Sequence, residues 1–384
     1  MRRVLTEKLR AGDRIGRDVY HSPDAPALLR AGVRISDSYR QSLERAGIIA
    51  VWVDDGLSAG IEPLEILTDD TKRQASTAIR DAFRDATHAL STGHALPDKA
   101  VIDLAKVVDL IVSEVEANVH AALALNDLAN ADGYTLKHSL AVTTLGLSLG
   151  LRVMRRYGWV DALEKRRTDS VEDRLPTLGI GLLVHDIGKL TVPPQILQKP
   201  GPLTDDEWVA MKTHPIEGVR ILQQATISGL TRTVVRSHHE KWEGGGYPAG
   251  LKGQAIHQFA RIAAVADVFD ALSSDRHYRK AWPMHKAWQF IVERSGKDFD
   301  PEVVEVFRTS VAPYPPGTAV VLSDGRCAIV KEVLENAVTA PVVRIVLDGS
   351  GAPTPHEEID LAKMPELTIV STDCDPWANL PPEP

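Results

Sequence analysis

The period of the apolar residues changes once along this chain, and that change constrains the fold more than any other feature. Helical spacing recurs over Asp69–Leu90, Pro97–Leu128, Thr135–Tyr157, Leu175–Val184, Asp205–Thr226, Thr231–His239, Gln258–Ser273 and Pro283–Ser295. After Tyr314 the grammar differs: AVVLSDGRCAIVKEV reads as strand, Asp-Gly turn and strand, and PVVRIVLDGSGAP adds another strand with a Gly-rich turn. Ahead of the helices, strand-like runs at Asp18–Tyr20, Ala31–Ile35 and Ile48–Val53 flank a helix from Ser38 to Ala46, with Ser38 placed to cap it. The expected fold is multi-domain, an all-α helical bundle flanked by a small N-terminal α/β domain and a small C-terminal β domain. The boundaries expected are 1–65 for the N-terminal module, 66–129 for a helical connector, 130–310 for the main helical block, 311–372 for the β module and 373–384 for a tail. Gly158–Arg174 is charged and poorly periodic, and reads as a surface loop. The apolar face from Val101 to Val115 suits the domain's first helix, a homodimer contact, or both.

Composition narrows the function classes. The 384 residues are 43% hydrophobic and 25% charged, within the range of chains that bury a core. The formal charge of -8 argues against a nucleic-acid polymer as partner, since such binders need a net basic face. The longest weakly polar run, Ser139–Met154, is broken by Arg152 and falls short of the roughly 20 apolar residues of a membrane span. MRRVLTEKLR has basic residues with no apolar run behind them, so no leader is expected. Two cysteines, Cys327 and Cys374, provide neither a disulfide framework nor a thiolate metal cluster, which fits a reducing cytoplasm.

The chemistry is concentrated in the helical block. Five of the thirteen histidines, His138, His185, His214, His238 and His239, lie in or at the end of apolar helical segments, together with Asp186 and Asp267. A lone histidine in such a place is more often a hydrogen-bonded core residue than a ligand. Seven such groups together, five of them set in GLLVHDIGKL, RTVVRSHHE and RIAAVADVFD, are another matter, because burial there costs desolvation unless something pairs with them. Imidazole and carboxylate without thiolate suit iron, manganese or zinc. The set exceeds the four ligands of one zinc, and two cations sharing a bridging carboxylate would use it all.

These residues sit in longer strings that resemble a known family. HDIGK at His185–Lys189 followed by Val192–Pro193 is similar to the HD superfamily of phosphohydrolases, and HHEKWEGGGYP at His238–Pro248 is similar to the signature of its HD-GYP subgroup. DGYTLKHS at Asp132–Ser139, THPIEG at Thr213–Gly218 and ADVFDALSSDRHYRKAW at Ala266–Trp282 match in the right order. The resemblance implies a bacterial signalling hydrolase that cuts cyclic di-GMP to linear pGpG, and onward to GMP in some members, by a hydroxide activated between two divalent metal ions. Iron or manganese is the expected pair, with zinc the other fit. It implies one metal on His138, His185, Asp186 and Asp267, and a second on Asp186, His214, His238 and His239. A third metal, held in some members by a Glu four residues before the first His, is not expected, because Tyr134 stands there. Lys189, Arg276 and Arg279 are the implied phosphate contacts, and Gly246, Tyr247 and Pro248 the implied wall of the site and a docking point for protein partners. Asp132, Glu240 and Asp270 are candidates for orienting ligands or relaying protons. The alternative is a non-catalytic module that binds a cyclic dinucleotide or a partner through the GYP loop. Another cyclic dinucleotide, or a nucleotide monoester as in other HD enzymes, is the competing substrate.

Overall fold

The computed structural model describes all 384 residues except 21–25, 49, 63–64, 119–133, 275–280 and 375–384. Its residues divide into two compact units. Among the described residues, one takes in those of 1–65 and 309–374, the other those of 66–118 and 134–308.

In the first unit, β1 (Arg2–Leu5), β5 (Ala50–Asp54) and β2 (Arg14–Ile15) form an antiparallel sheet in the order β1-β5-β2. The hairpin of β3 (Val19–Tyr20) and β4 (Ala27–Leu29) and the helix α1 (Asp37–Arg45) complete this part. Two expectations are corrected here. The strand runs over Ala27–Leu29 rather than 31–35, because positive φ at Gly32 turns the chain within that window. The helix is capped by Ser36, whose hydroxyl accepts from the Tyr39 amide, while Ser38 lies inside the first turn.

The later residues of this unit form a second antiparallel sheet of β8 (Ala319–Leu322), β9 (Cys327–Glu332), β10 (Val342–Leu347), β11 (Glu358–Asp360) and β12 (Ile369–Ser371), in the order β11-β10-β9-β8-β12. Where the sequence suggests two separate modules, the structure packs them together. Ile61 shares an apolar core with Cys327, Ile329 and Val346, and the Arg344 guanidinium donates to the carbonyls of Leu57 and Ala59. The expectation of no disulfide is also corrected. Cys327 and Cys374 are bonded, with Cα atoms 6.3 Å apart, tying the segment after β12 to β9.

The second unit is helical. α2 (Asp69–Thr92) starts at the cap Thr68 and ends at Gly93 in the left-handed conformation. Its buried stripe of Ala75, Ala78, Ile79, Ala82, Ala86 and Ala89 is small enough for close packing on α3 (Asp98–Ala117). The Glu114 carboxylate of α3 accepts from Thr68 and Thr71 at the start of α2. Val101, Leu104, Val107, Val108, Ile111, Val112 and Val115 are buried, and α3 also packs on α4 (Tyr134–Tyr157) and α5 (Leu175–Leu183). That apolar face packs within the chain. Between α4 and α5, Gly158–Arg174 is more than a loop. It carries the hairpin of β6 (Trp159–Val160) and β7 (Arg166–Arg167), because Trp159 buries its ring and donates its indole N–H to the Asp169 carbonyl.

The remaining helices are α6 (Pro194–Leu197), α7 (Asp205–Met211), α8 (His214–Ile221), α9 (Gly229–Ser237), α10 (Gln258–Ser273), α11 (Met284–Glu293) and α12 (Pro301–Ser310). The single helix expected over Asp205–Thr226 is split between α7 and α8. Pro215 lacks the N–H that would continue the ladder and sits instead in the first turn of a new helix, where none is needed. α10 is buried on almost every side and packs on α4, α9 and α11, as expected for a helix at the centre of a bundle. No described helix is long and apolar enough to cross a membrane.

Candidate metal centre

Helix ends deliver most of the histidines. His185 and Asp186 occupy the turn that terminates α5, His214 opens α8, and His238 closes α9 with His239 next to it. His138 comes from α4 and Asp267 from α10. Backbone carbonyls fix three of the rings. His185 Nδ1 donates to the Leu182 carbonyl at 2.8 Å, His214 Nδ1 to Met211 at 2.8 Å, and His238 Nδ1 to Val235 at 2.9 Å. A carbonyl can only accept, so Nδ1 carries the hydrogen and Nε2 is left with its lone pair facing inward. The fourth ring, His138, gives its Nδ1 to Asp270 Oδ2 at 2.7 Å.

The inward atoms converge on Asp186. Its Oδ2 lies 3.4 Å from His185 Nε2 and 3.5 Å from His138 Nε2, while its Oδ1 lies 3.4 Å from His214 Nε2 and 3.9 Å from His238 Nε2. Asp267 Oδ1 is 3.2 Å from His138 Nε2, and Oδ2 is 3.6 Å from His239 Nδ1. Donor atoms of Asp186, His214, His238 and His239 lie within 4.8 Å of one another, as do those of His138, His185 and Asp186. Asp186 Oδ1 is buried, and among the described residues no hydrogen donor reaches it. A lone-pair oxygen without a donor, ringed by imidazole lone pairs, is a cradle for a cation, so the residues present fit a metal.

The charge states of four of the five rings agree. Burial holds His185, His214 and His238 below the ordinary imidazole range, and takes His239 down to about 3, so these four rings are neutral ligands at neutral pH. Burial would lower His138 as well, but hydrogen bonds to the Asp267 and Asp270 carboxylates outweigh it and raise that ring to about 9. Burial alone would raise Asp186 and Asp267. Lys189 and the histidines around Asp186, and His138 and His239 beside Asp267, hold both well below the usual carboxylate range.

Other candidates are placed as follows. Lys189 Nζ is 2.5 Å from Asp186 Oδ2, at the partly open side. Asp270 meets His138 at Nδ1, the ring nitrogen opposite the one that faces Asp186 and Asp267. Glu240, though buried directly after the histidine pair, gives its carboxylate to the amides of Ala249 and Leu251. The Tyr247 ring lies 4.7 Å from the His239 ring, and burial raises its phenol, so it stays protonated. Gly246 and Pro248 flank it, half-buried. Asp132, Arg276 and Arg279 lie outside the described residues. Ser274 was missed by sequence reasoning. Its hydroxyl donates to Asp270 Oδ1 at 2.8 Å, and its place four residues after Asp270 on the same helical face was the available signal.

Known proteins are similar to this chain in sequence. A family described as the HD domain matches residues 157–303, a stretch that begins after His138. A cyclic di-GMP phosphodiesterase of Pseudomonas aeruginosa is 32% identical over 372 residues, covering 88% of this chain and 84% of that protein. A cyclic di-GMP phosphodiesterase of Vibrio cholerae is 46% identical over 131 residues, covering 32% of this chain and 27% of that protein. Among solved structures, an HD-GYP-like protein of Bdellovibrio bacteriovorus aligns at a TM-score of 0.46 and 18% identity, covering 80% of this chain and 97% of that one. With a relative matched at that identity over most of both chains, this chain belongs to the HD-GYP family of cyclic di-GMP phosphodiesterases.

Proposed function

We propose that this chain hydrolyses cyclic di-GMP to linear pGpG at the cluster around Asp186, with two divalent cations, iron or manganese. One observation carries the reading. Asp186 turns one oxygen toward His138 and His185 and the other toward His214 and His238, which is what a carboxylate shared by two cations needs. The first ion would rest on His138, His185, Asp186 and Asp267, the second on Asp186, His214, His238 and His239. When bound, such a pair neutralises phosphate charge and lowers the pKa of water.

The chain's own residues do the rest. Backbone carbonyls pin three rings in the ligand tautomer, and Asp270 pins the fourth. Lys189, on the half-open side, is the cation placed to meet a phosphate oxygen once other charge satisfies Asp186. Tyr247, neutral and stacked beside His239, forms the wall against which the substrate rests. Asp132, Arg276 and Arg279 keep the roles their motifs imply. Protein partners would meet the GYP loop.

The test is turnover. Protein purified without air and loaded with Mn(II) or Fe(II) is mixed with cyclic di-GMP, and products are separated by chromatography, with a mixed cyclic dinucleotide as the competing arm. Linear pGpG is the expected product. No turnover with several metals, before and after reduction, would overturn the reading in favour of a binding module.

A further inference from the structure

Glu240 follows the ligand pair His238–His239 and is only 3% exposed, yet its carboxylate is taken up by backbone amides further along the chain. One carboxylate oxygen accepts from the Ala249 amide at 2.7 Å and the other from the Leu251 amide at 3.0 Å. We propose that Glu240 is a positioning residue, whose carboxylate locks the segment 244–251 so that Tyr247 stands fixed beside His239 as a preformed wall of the substrate site. The proposal rests on the reading of that site as a phosphodiesterase centre, and it assigns to this carboxylate the rigidity of the wall rather than proton transfer.

Three further observations support the lock. The Tyr247 amide donates to the His239 carbonyl at 3.2 Å, so the loop folds back on the ligand pair itself. At Gly246 a Cβ would lie 2.5 Å from Glu240 Cα and from the Lys241 nitrogen, a backbone-on-backbone approach that only glycine allows. The base of the loop is pinned separately, with the Trp242 amide on the Asp298 carbonyl at 3.0 Å and the Glu243 amide on Lys297 at 2.8 Å. What remains to be fixed is the far limb, Ala249 to Leu251, and those are the amides Glu240 receives. A charged acceptor for two amides is a strong tether. Glutamine in its place keeps one acceptor and turns an NH2 group against the other amide.

The test compares Glu240→Gln, Glu240→Ala and Gly246→Ala with the wild-type chain by amide hydrogen exchange in metal-free protein, metal content, and steady-state kinetics on cyclic di-GMP. The expected result is exchange about tenfold or more faster at Tyr247, Ala249 and Leu251, the factor that follows from losing a hydrogen bond to a charged group. KM should rise about tenfold with it, while metal content and the shape of the pH–rate profile stay unchanged. Gly246→Ala keeps the Glu240 side chain in the sequence but sets a Cβ against the Glu240–Lys241 backbone, so it should displace the loop and reproduce the faster exchange, which covers the case of a Glu240 variant that fails to fold. Unchanged loop exchange in folded Glu240→Gln overturns the proposal. So does a fall in kcat with an altered pH profile at constant KM, which is the signature of a proton relay. Because exchange is read without metal or substrate, a wild-type chain with no turnover would overturn the phosphodiesterase reading while leaving the loop measurement to decide on the tether.

Discussion

Asp270 Oδ2 sits 2.7 Å from Nδ1 of His138, and through that contact a residue outside the inner cluster sets the direction of one inside it. The other oxygen of Asp270 receives the Ser274 hydroxyl, so the carboxylate is itself held. With its ring fixed, His138 aims Nε2 at Asp267 and at the lone pair of His185 Nε2, 3.2 Å away. Partners of this kind typically contribute a factor of about 10–100 in metal affinity. Asp270→Asn is expected to weaken metal uptake by about that factor, and Ser274→Ala by less, measured by competition with a metal-binding dye. Wild-type affinity in both variants would remove Asp270 from any orienting role.

Asp186 is the residue the cluster can least spare. Asp186→Asn keeps the volume but replaces one lone-pair oxygen with a donor NH2 group, and removes the charge that the surrounding rings and Lys189 face. The expected outcome is loss of metal from both halves and activity at background, read by elemental analysis of the purified variant. A variant that still carried the wild-type metal content would mean that Asp186 is not shared.

The pH dependence of metal-stripped protein has two limbs of opposite sign. His138 is raised from the ordinary 6.5 to about 9 in the folded chain, so its contribution to stability is fully present below about 6.5 and is lost as pH climbs through 9. His185, His214, His238 and His239 are lowered by burial. Their contribution is present above about 6.5 and declines as pH falls below it, for His239 down to about 3. Thermal melts in a chelator should therefore peak near neutrality and fall on both sides. His138→Gln should flatten the alkaline limb alone. A wild-type melting temperature that kept rising through pH 9 would contradict the charge assigned to His138.

The sequence made the ligands legible because each lies where an apolar run ends in a polar residue that burial would otherwise penalise, as in GLLVHD and RTVVRSHH. The helices α4, α5 and α10 were equally plain from their spacing. What escaped depended on contacts distant in the chain. Nothing local separates α7 from α8 except Pro215, and the break matters because it puts His214 at a helix start. Glu240 reads as a companion of the histidine pair by adjacency, but a side chain's direction follows from its partners, here amides 9 and 11 residues further on. Cys327 and Cys374 are 47 residues apart, and only the sheet brings them together.

Gly188 is the sharpest test of how the site is assembled. It lies two residues after Asp186, and a Cβ there would run into the His214 carbonyl oxygen and stand 2.5 Å from the Gly218 nitrogen. Both obstacles are backbone, which cannot rotate aside as a side chain can. Gly188→Ala should therefore push α8 off the turn after α5 and carry His214 away from Asp186. The stability cost is expected at about 1–3 kcal/mol or more, the range of overpacked cores. Metal affinity should fall further in the half built on His214 than in the half built on His138 and His185. Chemical denaturation gives the first quantity and stepwise metal titration the second. An alanine variant with unchanged stability and two equal metal sites would show that the approach of α8 to this turn does not set the position of His214.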